Sequence, residues 1–159
     1  MTPEEQEYPE RVPSGRYMRL VAEDWFTDMW WLLAIPVGLC LIAGSMIHPI
    51  GYSMLPVLLC LVIPMAAYTM YLNYSLTPEA VACVRRHRSR VEADGAVTLE
   101  FAPDGETGRT YRPFRLLAGE VSGAEFRGPW IVLRLRRRYR YIFIPNTAEN
   151  AKIFNLSDI

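Results

Sequence analysis

Charged residues stop abruptly part-way along the chain. No Asp, Glu, Lys or Arg stands between Asp28 and Glu79, a run of fifty uncharged residues in a chain of 159. On either side of it polar and apolar positions interleave. A soluble chain with about a quarter of its residues charged almost never leaves such a gap. The run divides in two: residues 29–47 are nineteen without a charge and residues 50–74 are twenty-five. A helix rises about 1.5 Å per residue, so roughly 20 residues cross a hydrocarbon core of about 30 Å. Each segment is long enough alone. Between them His48-Pro49-Ile50-Gly51 carries two helix breakers, so the expected structure is an antiparallel membrane α-helical hairpin over residues 29–74.

The flanks fit that reading. Trp25, Phe26, Trp30 and Trp31 stand at the start of the first span, and Tyr68, Tyr71 and Tyr74 at the end of the second. Such rings prefer the headgroup layer, and both clusters fall on the side of the termini. Arg11, Arg16 and Arg19 precede the first span, Arg85, Arg86, Arg88 and Arg90 follow the second, and the turn has none. The positive-inside rule then places both termini in the cytoplasm, as expected of a multi-pass protein of a bacterial inner membrane. The first span starts too late, behind an acidic and aromatic stretch, to read as a cleaved leader. Pro36, Pro56 and Pro64 lie inside the spans, but no ionisable residue lies at mid-membrane, and His48 sits at the turn. Two helices are too few to enclose a path.

Residues 1–28 read as an N-terminal cytoplasmic arm. Its first ten residues hold four Glu and two Pro, the composition of a disordered tail. Residues 16–26 suit a short amphipathic helix on the membrane surface.

Residues 77–159 are expected to form a soluble α+β domain, mostly antiparallel β. Thr77-Pro78-Glu79 suits either a helix start or a turn between strands 71–76 and 81–85. Ala93-Asp94-Gly95-Ala96 reads as a turn before an alternating strand over 96–101, and Pro103-Asp104-Gly105 with Gly108 as another turn. Strands over 110–117 and 120–126 precede Gly128-Pro129. Residues 130–145 (WIVLRLRRRYRYIFIP) read as two strands joined at Arg137-Arg138. A two- or a four-residue loop pairs Leu133 with Ile142 and Leu135 with Arg140, and Arg-Arg is poor chemistry for the tighter turn. One face then carries Ile131, Leu133, Leu135, Ile142 and Ile144, the expected core face. The other carries Val132, Arg134, Arg136, Tyr139, Tyr141 and Phe143 and is expected to be amphipathic. Thr147 can cap a short C-terminal helix, with Asn150 in place of the preferred Glu. The expected whole is a curved sheet or open barrel closed by that helix.

Two adjacent spans, a β-rich domain behind them and the late strand Tyr141-Ile142-Phe143-Ile144-Pro145 followed by a helix resemble the YcxB-like bacterial membrane proteins. The resemblance covers roughly residues 31–154 and implies a pleckstrin-homology-like fold for the soluble part. The basic residue that often follows the Pro in that family is Asn146 here.

Chemistry adds little. Nothing in the sequence suggests a nucleophile–base pair, a phosphate-binding loop or a metal-ligand spacing, so neither an enzyme nor a cofactor is expected. Cys40, Cys60 and Cys83 read as free thiols. The formal net charge is zero, which argues against a nucleic-acid partner. Sixteen of the seventeen basic residues are Arg, and their clusters are the one concentrated feature. Topology retention with a solvated face, contact with anionic headgroups and nucleic-acid binding are the competing readings. The candidates for lipid contact are Arg136, Arg137, Arg138 and Arg140 at the hairpin tip, with Arg85, Arg86 and Arg88 behind the second span. The functional expectation is a non-enzymatic membrane-anchored binding or regulatory module, with a protein partner or homo-oligomer open. The alternative is an accessory subunit or small oligomeric transport component, for which Gly38, Ala43, Gly44 and Ser45 are the available small residues.

Overall fold

The structure is a computed structural model that describes residues 3–75, 77–103 and 110–156. It is a mixed α+β fold in two compact units, Met1–Tyr17 with Ser75–Ile159, and Met18–Tyr74. The turn expected from Asp104 to Gly108 lies outside the described residues.

The first unit holds six strands in two antiparallel sheets. β1 (His87–Val91), β2 (Val97–Phe101) and β3 (Phe114–Leu116) form one, in that order. Its first hairpin closes where the Asp-Gly signal requires. Gly95 takes φ 83°, Asp94 Oδ1 accepts from the Ala96 amide at 2.9 Å, and the Glu92 amide donates to the Ala96 carbonyl at 2.8 Å. β4 (Val121–Arg127), β5 (Trp130–Leu135) and β6 (Tyr141–Pro145) form the second sheet. Gly128, at φ 66°, starts its two-residue loop before Pro129. The strands group as two sheets of three, where a curved sheet or open barrel was expected.

The β5–β6 register is the expected one, with Leu133 opposite Ile142 and the Leu135 amide donating to the Arg140 carbonyl at 3.0 Å. The loop is the longer of the two considered, and Tyr139 reverses the chain at φ 58°. The second face is more buried than expected away from the loop: Val132, Tyr141 and Phe143 are as deeply buried as Ile131, Leu133, Ile142 and Ile144, while Arg134 is half-buried beside the Tyr141 ring and Arg136 is exposed. Two pieces remote in sequence cover it. Tyr17 sets its ring 5.8 Å from that of Tyr141 and 5.9 Å from that of Phe143. The helix α5 (Pro78–Val84) packs on β6 and points Cys83 at the Tyr141 carbonyl, 3.7 Å away. Thr77-Pro78 thus starts a helix, not a strand turn. The C-terminal helix α6 (Ala148–Ile153) is capped as expected, Thr147 Oγ1 accepting from the Asn150 amide. Asn150 Nδ2 donates back to the Pro145 carbonyl at 3.0 Å, and Asn155 at φ 54° ends the helix.

The N-terminal arm departs from expectation. Residues 3–12 are not a tail. The helix α1 (Pro3–Glu7) is followed by an antiparallel bridge, the Glu10 amide donating to the His87 carbonyl at 3.1 Å and the His87 amide to the Glu10 carbonyl at 2.9 Å. The Val12 amide donates to the Cys83 carbonyl at 3.0 Å. β1 is an edge strand with a free ladder on its outer side. An arm too polar to bury its own surface is ordered there by groups some eighty residues away.

The second unit is helical. It takes in all but the first residues of α2 (Ser14–Met29), with α3 (Trp31–Met46) and α4 (Ile50–Ser75). α2 is longer than the expected 16–26 helix, and it meets α3 at Trp30 with a bend of 52°. Three residues join α3 to α4. There the Ile47 and His48 amides both donate to the Ala43 carbonyl, and His48 Nδ1 accepts from the Ile50 amide at 3.2 Å. Gly44 and Gly51 touch backbone to backbone, and a methyl at Gly44 would stand 2.7 Å from the Tyr52 ring. Gly38, by contrast, has open space beside it.

Truncating Ile142 to Ala should cost about 2–5 kcal/mol of β-unit stability, because its site is closed on every side. Arg137→Ala in the exposed loop should stay within about 0.5 kcal/mol. Urea unfolding of the two variants followed by circular dichroism checks both values.

Candidate functional site

The seven Arg candidates divide into four environments. Arg136, Arg137 and Arg138 are exposed together on the β5–β6 loop, and none has an ion pair among the described residues. Arg140 does not join them. Its Nη1 donates to both oxygens of Glu79, at 3.2 and 3.4 Å, and Glu79 is only 6% exposed. A carboxylate that deep on α5 needs a cation, and Arg140 is the one the β6 register delivers. The hairpin tip thus presents three Arg where four were expected. Arg86 is likewise engaged, its Nη2 2.6 Å from Glu5 of the N-terminal arm. Arg88 is exposed on β1 opposite Glu100. Arg85 stands apart, its guanidinium over the Tyr111 ring at 3.7 Å from the centroid.

Arg85 and Tyr111 belong to a groove of about 470 Å³ in the β-rich unit. Pro78, Val81, Phe101 and Phe114 supply most of its apolar wall, and Thr77 and Arg112 complete its polar part. Among the described residues no acidic side chain lines it. Stacking on Tyr111 occupies one face of the Arg85 guanidinium and leaves its N–H edges able to meet an anion. The sequence held the parts of this groove but not their meeting, since Val81 and Phe114 come from separate elements.

Behind the groove's helix lies a closed polar pair. His87 is fully buried. Its Nδ1 is 2.8 Å from the Arg85 carbonyl, which can only accept, so Nδ1 carries hydrogen. Its Nε2 faces Glu10 Oε2 at 3.5 Å, and both atoms are sealed from solvent without another partner. Glu10 Oε1 accepts from the Ser89 amide at 3.1 Å. A pair closed to solvent cannot meet a substrate; its work is to hold the arm against β1. In the sequence His87 stands between Arg86 and Arg88, and nothing local marks it for burial; the arm's return to β1 covers it.

Cys83 is the other buried reactive group. Burial, the main cause, pushes its thiol up to about 12. Burial likewise raises the Tyr17 phenol above its ordinary value. No group of three or more His, Cys, Asp or Glu able to hold a metal occurs among the described residues.

The raised thiol sets a pH dependence. The fold keeps Cys83 protonated where the unfolded chain loses the proton, so its contribution is complete below the ordinary value of 9.0 and falls away as pH rises toward about 12. In a Cys40→Ser/Cys60→Ser background, Cys83 should resist a maleimide at pH 8 until urea unfolds the β unit. Stability should then fall between pH 9 and 11 by up to about 1.4 kcal/mol per pH unit from this group, and Cys83→Ala should flatten that slope. Separately, Arg140→Ala should cost about 3 kcal/mol by stranding Glu79, and the double change Glu79→Met/Arg140→Leu should recover most of it in the same urea assay.

No protein-family model, no curated protein and no solved structure matches this chain.

Proposed function

We propose that this chain is a non-enzymatic membrane-anchored module, with its helical unit in a bacterial inner membrane and its β-rich unit held at the cytoplasmic face. The observation that carries the reading is α4. Ile50–Leu72 is 23 residues long and apolar, yet only 6% of it is buried by the rest of the chain. Leu61 and Met65 are more than 60% exposed. A core helix of a soluble protein would be covered, whereas a helix that meets acyl chains has no need of protein cover.

α3 supports a second span with less margin. Its 16 residues reach about 24 Å, so a full crossing draws on Met29, Trp30 and Ile47 at its ends or on local thinning of the bilayer. The turn at 47–49, with Gly44 and Gly51 in contact, suits a hairpin that carries α3 and α4 across together. In this reading Tyr68 and Tyr71, both exposed on α4, meet the cytoplasmic headgroups. The two sheets and α6 are read as halves of a pleckstrin-homology-like open barrel. The proposal rests on these residues and not on the YcxB-like likeness.

The cytoplasmic unit in this reading touches anionic lipid through Arg136, Arg137 and Arg138. At about 1 kcal/mol per Arg near a charged leaflet, three give roughly 3 kcal/mol before screening. That is weak for a free domain and sufficient for one tethered directly behind α4.

Carbonate extraction of membranes should leave the chain in the pellet. Reporter fusions at Ser14 and at the C terminus should signal from the cytoplasm, and a fusion at Gly51 from the far side. Release by carbonate, or a far-side signal from the C-terminal fusion, would reject the anchored hairpin.

A further inference from the structure

We infer that the groove between α5 and the β2–β3 edge is a binding site for one anionic phospholipid, its headgroup phosphate on Arg85 and Arg112 and its glycerol and upper acyl carbons on Pro78, Val81, Phe101 and Phe114. The inference rests on the proposal that α4 spans the bilayer.

Four observations meet in it. The groove is apolar along its wall and, among the described residues, holds two cations and no acid, so its complement is an anion that carries an apolar body. Its volume, about 470 Å³, is that of a small-molecule site, not of a protein interface. Arg85 is already oriented, because the Tyr111 ring holds its guanidinium plane. That leaves little side-chain freedom to lose on binding. A stacked Arg also presents two donors to phosphate oxygens with fixed geometry.

The chain path supplies the fourth. Thr77 and Pro78, which line the groove, are the second and third residues past Ser75, the last of α4. Three residues of extended chain reach at most about 11 Å. If α4 ends at the cytoplasmic headgroups, the groove's wall begins within that distance of them. An amphiphile confined to the leaflet is then the occupant at highest local concentration. A soluble phosphate ester would meet the Arg pair but leave the apolar wall open to water.

The site is distinct from the β5–β6 loop, which offers exposed Arg without an apolar wall. Native mass spectrometry of the full chain in mild detergent, with equimolar dioctanoyl phosphatidylglycerol and dioctanoyl phosphatidylcholine, separates the two. One phosphatidylglycerol should be retained in preference to phosphatidylcholine, and neither inorganic phosphate nor glycerol 3-phosphate should displace it. Arg85→Gln and Arg112→Gln should each weaken retention about tenfold with thermal unfolding unchanged. The triple change Arg136→Gln/Arg137→Gln/Arg138→Gln should leave it intact. Equal retention of the two lipids, displacement by glycerol 3-phosphate, or retention indifferent to Arg85→Gln and Arg112→Gln would overturn the groove assignment. Loss of retention in the triple variant alone would do so while favouring the loop. Failure of the membrane anchor itself reads out separately, as release by carbonate.

Discussion

The β5–β6 hairpin buries apolar side chains on both faces away from its loop, and the rest of the β-rich unit is arranged to cover them. Ile131, Leu133, Ile142 and Ile144 fill one side, as a half-buried hairpin would. Val132, Tyr141 and Phe143 fill the other and cannot be left to water. β6 is also the edge of its sheet, with outward backbone groups to satisfy. Tyr17 and α5 meet both needs. The Tyr17 oxygen accepts from the Tyr141 amide at 3.4 Å while its ring lies against the two aromatic rings. The hairpin thereby draws the N-terminal segment and the start of the C-terminal domain into one unit, although the whole apolar run of the chain separates them.

Electrostatics follow from that closure. Bringing α5 onto β6 buries Glu79, and the strand register returns Arg140 to neutralise it. Bringing the N-terminal arm onto β1 sets an acid-rich segment beside an Arg-rich one. Glu5 meets Arg86, and Glu10 meets His87 and the Ser89 amide. These pairs join groups about eighty residues apart in sequence. Among the described residues, the candidates left unpaired are specific: three Arg on one loop, Arg88 on an edge strand, and Arg85 stacked in the groove.

The helical unit obeys a different solvent. In water, the exposed Leu, Ile, Met and aromatic side chains of α3 and α4 would be a large liability. Within the proposed bilayer they are the favourable surface. The prolines Pro36, Pro56 and Pro64 sit inside continuous helices, which is tolerated where neighbouring groups re-satisfy the freed carbonyls. Close packing is needed only at the turn, and the small residues found there, Gly44 and Gly51, are the ones in contact.

What the sequence determined by itself was local. The charge-free run, the breakers at 48–51, the Asp94-Gly95 turn, the β5–β6 register and the Thr147 cap follow from periodicity, turn chemistry and capping, all of which act over a few residues. The mixed α+β class followed from their order. Tertiary structure alone decided the rest. Parity put Tyr141 and Phe143 on an outer face, but burial depends on what else arrives, and Tyr17 and Cys83 come from 124 and 58 residues away. Composition made the first ten residues a tail, because low apolar content cannot order a segment alone; an edge strand and opposite charge ordered it. Arg140 reads like its neighbours in sequence and differs only because Glu79 lies within reach in space. The groove is the same case. Pro78, Val81, Arg85, Phe101, Tyr111 and Phe114 carry no shared motif, and a cavity exists only once separate elements are folded around it.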